Sequence, residues 1–259
     1  MTMEVEWMRF LKVDRTNTAI RKYGWIFAFV VAFGGLWVPR LGLLLIPMML
    51  ALGIMGFFRG KYWCGNFCPH GSLFDGIIMP LGRNVPLPGV FKSRLVIWGA
   101  FAVFMLGLAS RLAPVISDWG ALGSWDRLGY VFVFNYLVVT VVGSILGLTI
   151  NSRAWCAICP MGTFQTVAHG IGSRLGANDG TDLKVYASDT EACRECGKCA
   201  MVCPMQLSPY EGWTEEGWFE DERCIKCGIC TEHCPFAVIE LVAAGDADEG
   251  EEKPLERAG

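Results

Sequence analysis

The sequence is poor in charge and very poor in histidine. Charged residues make up 18% of the 259 positions, against about 25% in an average soluble domain. This composition argues against an ordinary soluble enzyme, and the lack of a basic excess argues against a nucleic-acid partner. The only histidines are His70, His169 and His233, and none lies in a long apolar run. Because a transmembrane haem needs histidine ligands inside the helix bundle, we expect no haem.

The formal net charge of −3 combines two parts of opposite sign. Residues 1–176 contain 15 Lys/Arg and 6 Asp/Glu, whereas residues 177–259 contain 7 Lys/Arg and 19 Asp/Glu. All the long apolar runs lie in the first part. This division predicts a basic membrane region over 1–176 and an acidic, water-facing domain over 177–244. Residues 245–259 are predicted to form an acidic, disordered tail.

Four apolar stretches are predicted to cross a hydrocarbon core of roughly 30 Å, at about 22–38, 41–58, 95–116 and 129–150. Lys and Arg are concentrated before the first stretch and between the second and third. The leading group is Arg9, Lys12, Arg15, Arg21 and Lys22. By the positive-inside rule, both termini face the cytoplasm. We therefore expect a multi-pass protein of the inner (plasma) membrane, in contact with lipid.

Two similar cysteine motifs follow the second and fourth stretches. They read TrpCysGlyAsnPheCysPro at 63–69 and TrpCysAlaIleCysPro at 155–160. The membrane region is therefore predicted to consist of two pseudo-repeated helical hairpins, each followed by a cysteine pair at the cytoplasmic face. The four cysteines are Cys64, Cys68, Cys156 and Cys159. Four thiolates satisfy a third iron–sulfur cluster or a tetrahedral metal, and the alternatives are reduced structural cysteines or a thiol/disulfide switch.

The acidic domain contains two copies of Cys-X2-Cys-X2-Cys-X3-Cys-Pro, the bacterial two-cluster ferredoxin pattern, in which each fourth cysteine ligates the other cluster. One predicted [4Fe–4S] cluster is ligated by Cys193, Cys196, Cys199 and Cys234. The other is ligated by Cys224, Cys227, Cys230 and Cys203. Zinc and disulfides are disfavoured, because zinc sites use separated pairs and the predicted compartment is reducing. The expected fold is an α-helical membrane region plus a small α+β ferredoxin-like domain.

The order of these motifs resembles that of the NapH-type membrane ferredoxins, which are quinol dehydrogenase components of periplasmic nitrate reductase systems. Larger polyferredoxins share the same motifs. The resemblance implies a quinone pool as the source of electrons and a partner redox subunit or reductase as their destination. Two features depart from the family: the second membrane cysteine pair has two intervening residues rather than three, and only Pro39 and Arg40 separate the first two stretches.

The main hypothesis is a membrane-bound electron-transfer subunit that oxidises quinol and passes electrons through [4Fe–4S] clusters. His70 is a candidate proton acceptor near the quinone, and the alternative is a solvated histidine without a role. Two other classes remain open. One is an assembly or regulatory protein that reduces a metal or disulfide, and the other is a membrane anchor that docks a cytoplasmic redox enzyme.

Overall fold

A computed structural model describes residues 11–120 and 123–245. The helices are α1 (Ala19–Phe29), α2 (Leu45–Arg59), α3 (Tyr62–Asn66), α4 (Pro69–Leu73), α5 (Met79–Leu81), α6 (Arg94–Ser117), α7 (Ser124–Thr149), α8 (Ala154–Ile158), α9 (Pro160–Arg174), α10 (Lys198–Val202) and α11 (Ile229–Glu232). The strands are β1 (Leu183–Ala187), β2 (Trp218–Phe219) and β3 (Ile239–Ala243). The predicted tail, apart from Gly245, lies outside the described residues.

Three helical segments of the described chain are long and apolar enough to cross a membrane, namely Pro39–Arg59, α6 and α7. The first expected span is shorter. It consists of the 11 residues of α1 and a 5-residue π-helical turn, Val30–Gly34. At 1.5 Å per residue this length reaches about 24 Å, less than a hydrocarbon core of roughly 30 Å. The four-span topology therefore stays a prediction.

Pro39 and Arg40, which separate the first two apolar stretches of the sequence, begin a 3-10 helix, Pro39–Leu44, that continues directly into α2. Proline is tolerated there because the first residues of a helix have no intrahelical partner for their N–H groups. This 3-10 helix packs closely on α7. A Cβ atom added at Gly42 would lie 2.1 Å from the carbonyl oxygen of Gly129. Glycines thus let the two backbones approach, as in membrane helix pairs.

Each membrane cysteine motif runs into a helix that begins with proline. Cys68 and Cys159 precede α4 and α9 with nearly the same backbone angles, φ −65° and ψ 120° against φ −63° and ψ 125°. The first helix packs against α1 and continues through a π-helical turn, Phe74–Ile78, into α5. The longer α9 packs against α2 and α6. The two motifs therefore share a local backbone, although the repeat of whole hairpins stays a prediction.

The C-terminal region forms a three-stranded antiparallel sheet in the order β2-β1-β3. Val185 in the central strand is opposite Phe219 on one side and Leu241 on the other. The short helices α10 and α11 each follow a left-handed glycine, Gly197 and Gly228. The N-terminal lead ties this domain to the membrane region, because the N–H of Leu11 donates to the carbonyl of Met201.

Candidate iron–sulfur sites

The eight ferredoxin-motif cysteines line two separate cavities. Cys193, Cys196, Cys199 and Cys234, here called the first ferredoxin set, line one cavity. Cys203, Cys224, Cys227 and Cys230, the second ferredoxin set, line the other. Each fourth cysteine thus lies with the triplet of the other motif, in the arrangement that the spacing predicts. Their ligation of two clusters stays a prediction.

The backbone around both ferredoxin sets turns amide groups toward sulfur. Positive φ angles occur at Glu195 and Lys226, two residues after the first cysteine of each motif. They recur at Gln206 and Ala237, three residues after the last. The N–H of Lys226 donates to the sulfur of Cys224. Backbone concavities of this kind stabilise anionic sulfur, so both cysteine sets fit a negatively charged iron–sulfur cluster.

The four cysteines of the membrane region also come together. Cys64, Cys68, Cys156 and Cys159, here called the membrane-side cysteines, line a single cavity, the membrane-side cavity. Two side chains donate to their sulfurs. Gln165 Nε2 lies 3.0 Å from Cys64 Sγ, and Arg153 Nη1 lies 3.5 Å from Cys156 Sγ. Two motifs about ninety residues apart in the sequence therefore form one cysteine-lined site.

Burial controls the protonation of the membrane-side cysteines. It raises the pKa of Cys64 and of Cys68 to about 12, so both are neutral thiols unless a metal replaces their protons. Among the described residues, no three His, Cys, Asp or Glu side chains lie close enough to hold a single metal ion. A third iron–sulfur cluster and a tetrahedral metal at these cysteines therefore both stay predictions.

A buried group of three arginines around one aspartate adjoins these cysteines and was not anticipated from the sequence. Asp75 Oδ2 lies 2.6 Å from Arg153 and 3.5 Å from Arg21, and Asp75 Oδ1 lies 3.6 Å from Arg15. All four side chains are at most 4% exposed. Burial raises the pKa of Asp75, but the three arginines outweigh burial and hold that pKa below its usual value.

Among the described residues, this arginine cluster carries a surplus of positive charge. The sequence predicted Arg15 and Arg21 only as members of a basic leading segment, whereas the structure buries both. Within the same described part of the chain, Arg15 Nε and Nη1 and Arg21 Nη2 have no hydrogen-bond partner. Buried charge is costly unless it is compensated. A cluster ligated by four thiolates carries net negative charge, so it would balance this surplus.

His70 lies in the wall of the membrane-side cavity and is only 8% exposed. The alternative of a solvated histidine is therefore wrong. Its Nε2 is 2.9 Å from Thr140 Oγ1, and its ring centroid is 4.3 Å from that of Tyr136. Burial lowers the pKa of His70 to about 4 and favours the neutral imidazole. Its part in proton transfer stays a prediction.

The second ferredoxin set lies directly against the membrane-side cysteines. Ile225, the residue after Cys224, lines the cavities of both sets. Asn66 Nδ2 donates to the carbonyl of Lys226 at 3.1 Å, and Arg21 Nη1 donates to the carbonyl of Cys227 at 3.3 Å. Cys199 and Cys230, one from each ferredoxin set, belong to the same hydrophobic core, so the cavities of the two ferredoxin sets also lie close together.

Comparison with protein families finds iron–sulfur domains at the same places. A 4Fe-4S binding domain matches residues 41–88 and again residues 134–177, so each match contains one pair of membrane-side cysteines. A 4Fe-4S dicluster domain matches residues 192–238, which contain both ferredoxin sets. The chain is therefore an iron–sulfur protein with ferredoxin-type domains.

Distant homologues carry names that fit this class. The methylamine utilization ferredoxin-type protein MauN of Methylobacillus flagellatus is 26% identical over 170 residues, which are 62% of this chain and 54% of that protein. MauN of Paracoccus denitrificans is 30% identical over 169 residues, which are 61% of this chain and 54% of that protein. The putative electron transport protein YccM of Escherichia coli is 23% identical over a region that covers 89% of this chain and 67% of that protein.

The chain thus spans about half of each MauN and two thirds of YccM. No solved structure matches it. A NapH-type assignment, expected from the order of the motifs, stays a prediction.

Proposed function

We propose that the protein is a membrane-bound electron carrier that oxidises quinol and passes the electrons singly through three [4Fe–4S] clusters to a redox partner. The membrane-side cysteines hold the first cluster, the second ferredoxin set holds the next, and the first ferredoxin set holds the last. This sequence of centres leads from the membrane region to the surface of the acidic domain.

One observation carries the proposal: Ile225 lines both the membrane-side cavity and the cavity of the second ferredoxin set. Clusters placed in these two cavities would be neighbours. A passive anchor has no need of a cysteine-lined site at this junction. The names of YccM and MauN, an electron transport protein and a ferredoxin-type protein, agree with this proposal.

Quinol oxidation needs a chain of single-electron centres. Each quinol that becomes a quinone releases two electrons and two protons, whereas each [4Fe–4S] cluster accepts one electron at a time. Two electrons from one quinol therefore pass in succession through the first cluster. The protons leave toward the cytoplasm in the predicted topology, since that topology places the membrane-side cysteines at the cytoplasmic face.

The redox partner is proposed to dock on the acidic domain. Of the first ferredoxin set, Cys196 is exposed, so the last cluster is close to the protein surface. Residues 177–259 carry 19 Asp/Glu against 7 Lys/Arg, and such a surface favours a partner with a basic patch.

The test is reduction of the purified, cluster-loaded protein by a quinol. Addition of a short-chain ubiquinol or menaquinol under anaerobic conditions is expected to bleach the visible absorbance of the clusters. Dithionite is the control, because it reduces the clusters directly and does not need a quinone site. Bleaching by dithionite but by neither quinol would overturn the proposal and favour the anchor or the assembly protein.

A further inference from the structure

The membrane-side cavity extends beyond its cysteines into an apolar space between three helices. Leu45, Met48, Met49 and Leu52 of α2, Phe104 and Leu108 of α6, and Phe132 and Val139 of α7 line this part. The cysteines and Arg153 line the other part. A single cavity thus joins an apolar chamber within the membrane region to the proposed first cluster.

Two residues that line this cavity each carry a buried polar atom that has no hydrogen-bond partner among the described residues: the hydroxyl of Tyr136 and Nε1 of Trp155. Tyr136 is only 7% exposed. A buried hydroxyl without a partner costs free energy, which a ligand with a complementary polar group recovers. Neighbouring polar groups are already paired, because Asn135 accepts from Arg111 and Thr140 bonds to His70.

From these features we infer that the apolar chamber is a quinone-binding site in which Tyr136 bonds an oxygen of the head group. A quinone has an apolar ring, an isoprenoid tail and two oxygens at opposite edges. The ring and the first part of the tail match the Met, Leu and Phe side chains of α2, α6 and α7. The Tyr136 hydroxyl accepts from a quinol O–H and donates to a quinone carbonyl, whereas Trp155 Nε1 only donates. This inference rests on the proposed quinol oxidation and adds the residues that bind the head group.

The site is tested with 2-heptyl-4-hydroxyquinoline N-oxide, a quinol analogue whose fluorescence is quenched on binding to protein. Cluster-loaded protein in detergent is titrated with it. Tyr136→Phe keeps the ring and removes the hydroxyl, so the affinity is expected to fall about fivefold, the equivalent of one hydrogen bond. Leu108→Trp fills the chamber and is expected to abolish binding. Tyr130→Phe is the matched control, because Tyr130 lies on the same helix and is 48% exposed.

The outcomes separate the site from the function. If Tyr136→Phe and Leu108→Trp bind the quinol analogue with unchanged affinity, the proposed site is wrong. The proposed function survives that result if quinol still bleaches the clusters of these variants. Binding that depends on Tyr136, together with no reduction by any quinol, supports a ligand site and overturns the function. If added phospholipid weakens binding of the analogue and Tyr136→Phe leaves it unchanged, the occupant is a lipid acyl chain. That result overturns the inference. No binding to the unchanged protein also overturns it.

Discussion

The backbone of Gly65 contacts that of Ile225. A Cβ atom added at Gly65 would lie 2.2 Å from the carbonyl oxygen of Ile225 and 3.1 Å from Cβ of Cys227. Gly65 follows Cys64 of the membrane-side cysteines, whereas Ile225 and Cys227 belong to the second ferredoxin motif. The absence of a side chain at one position therefore allows two proposed cluster sites to lie next to each other.

Gly65→Ala is expected to separate these two sites. Overpacking of this kind costs about 1–3 kcal/mol, so the 225–227 segment moves away from α3. Reduction of the ferredoxin clusters by quinol should slow in stopped-flow absorbance, while reduction by dithionite stays unchanged. Gly99→Ala is the control, because a Cβ there meets open space. Equal quinol rates in both variants would show that electrons do not pass through this contact.

The iron content distinguishes two clusters from three. We expect about twelve irons per chain in the fully loaded protein, and about eight after Cys64→Ser. Chemical iron analysis with EPR of the reduced protein measures both. As a control, Cys193→Ser should remove signal from the ferredoxin domain and leave the membrane-side cluster. About eight irons in the unchanged protein would mean that the membrane-side cysteines hold no cluster.

Removal of the charge of Asp75 is expected to be strongly destabilising. Asp75→Asn leaves three buried guanidinium groups without a countercharge, and loss of one member of a buried ion pair costs about 3–5 kcal/mol. Thermal unfolding in detergent measures the loss. The control is Asp126→Asn, whose partner Arg40 is 69% exposed, so that variant should lose at most about 1 kcal/mol.

The pH dependence of this effect follows from the lowered pKa of Asp75. A carboxylate whose pKa is lower in the folded than in the unfolded protein contributes stability above its unfolded value, here near 3.8. That contribution is lost as the pH falls through the folded-state pKa. The difference between the unchanged protein and Asp75→Asn should therefore be constant near neutral pH and shrink only in strong acid. A difference that shrinks near neutral pH would contradict the charge assignment.

Gln165 is expected to raise the reduction potential of the proposed membrane-side cluster. Its Nε2 donates to Cys64 Sγ at 3.0 Å, and hydrogen bonds to ligand sulfurs stabilise the more negative, reduced state. Gln165→Leu should lower that potential by roughly 40 mV, the equivalent of one hydrogen bond of about 1 kcal/mol. An EPR-monitored redox titration measures it. Thr166→Val is the control, because the Thr166 hydroxyl donates to the carbonyl of Gly162. An equal shift in both variants would rule out a direct effect of the hydrogen bond from Gln165.

The spacing of the cysteines was enough to predict how the eight ferredoxin-motif cysteines are grouped. It placed Cys234 with the first triplet and Cys203 with the second, and the structure brings both sets together in those combinations. Local sequence was sufficient here because turn-forming glycines such as Gly197 and Gly228 and the prolines after each motif act within a few residues. The apolar runs likewise predicted α6 and α7, since lipid-facing helices need length and hydrophobicity rather than specific partners.

Other features depended on contacts between distant segments. Asp75 belongs to no motif, and its role appears only when Arg15 and Arg21 of the N-terminal lead and the distant Arg153 converge on it. The cavity that Tyr136 lines, and in which we propose a ligand for its hydroxyl, forms only where α2, α6 and α7 pack together.

The sequence by itself determined the cysteine sets and the long apolar helices, because each follows from spacing or composition along the chain. The tertiary structure alone decided which sets are neighbours, where charge is buried and where a ligand has room. Those properties depend on packing between segments more than two hundred residues apart, such as those of Asn17 and Glu232, and no periodicity in the sequence encodes them.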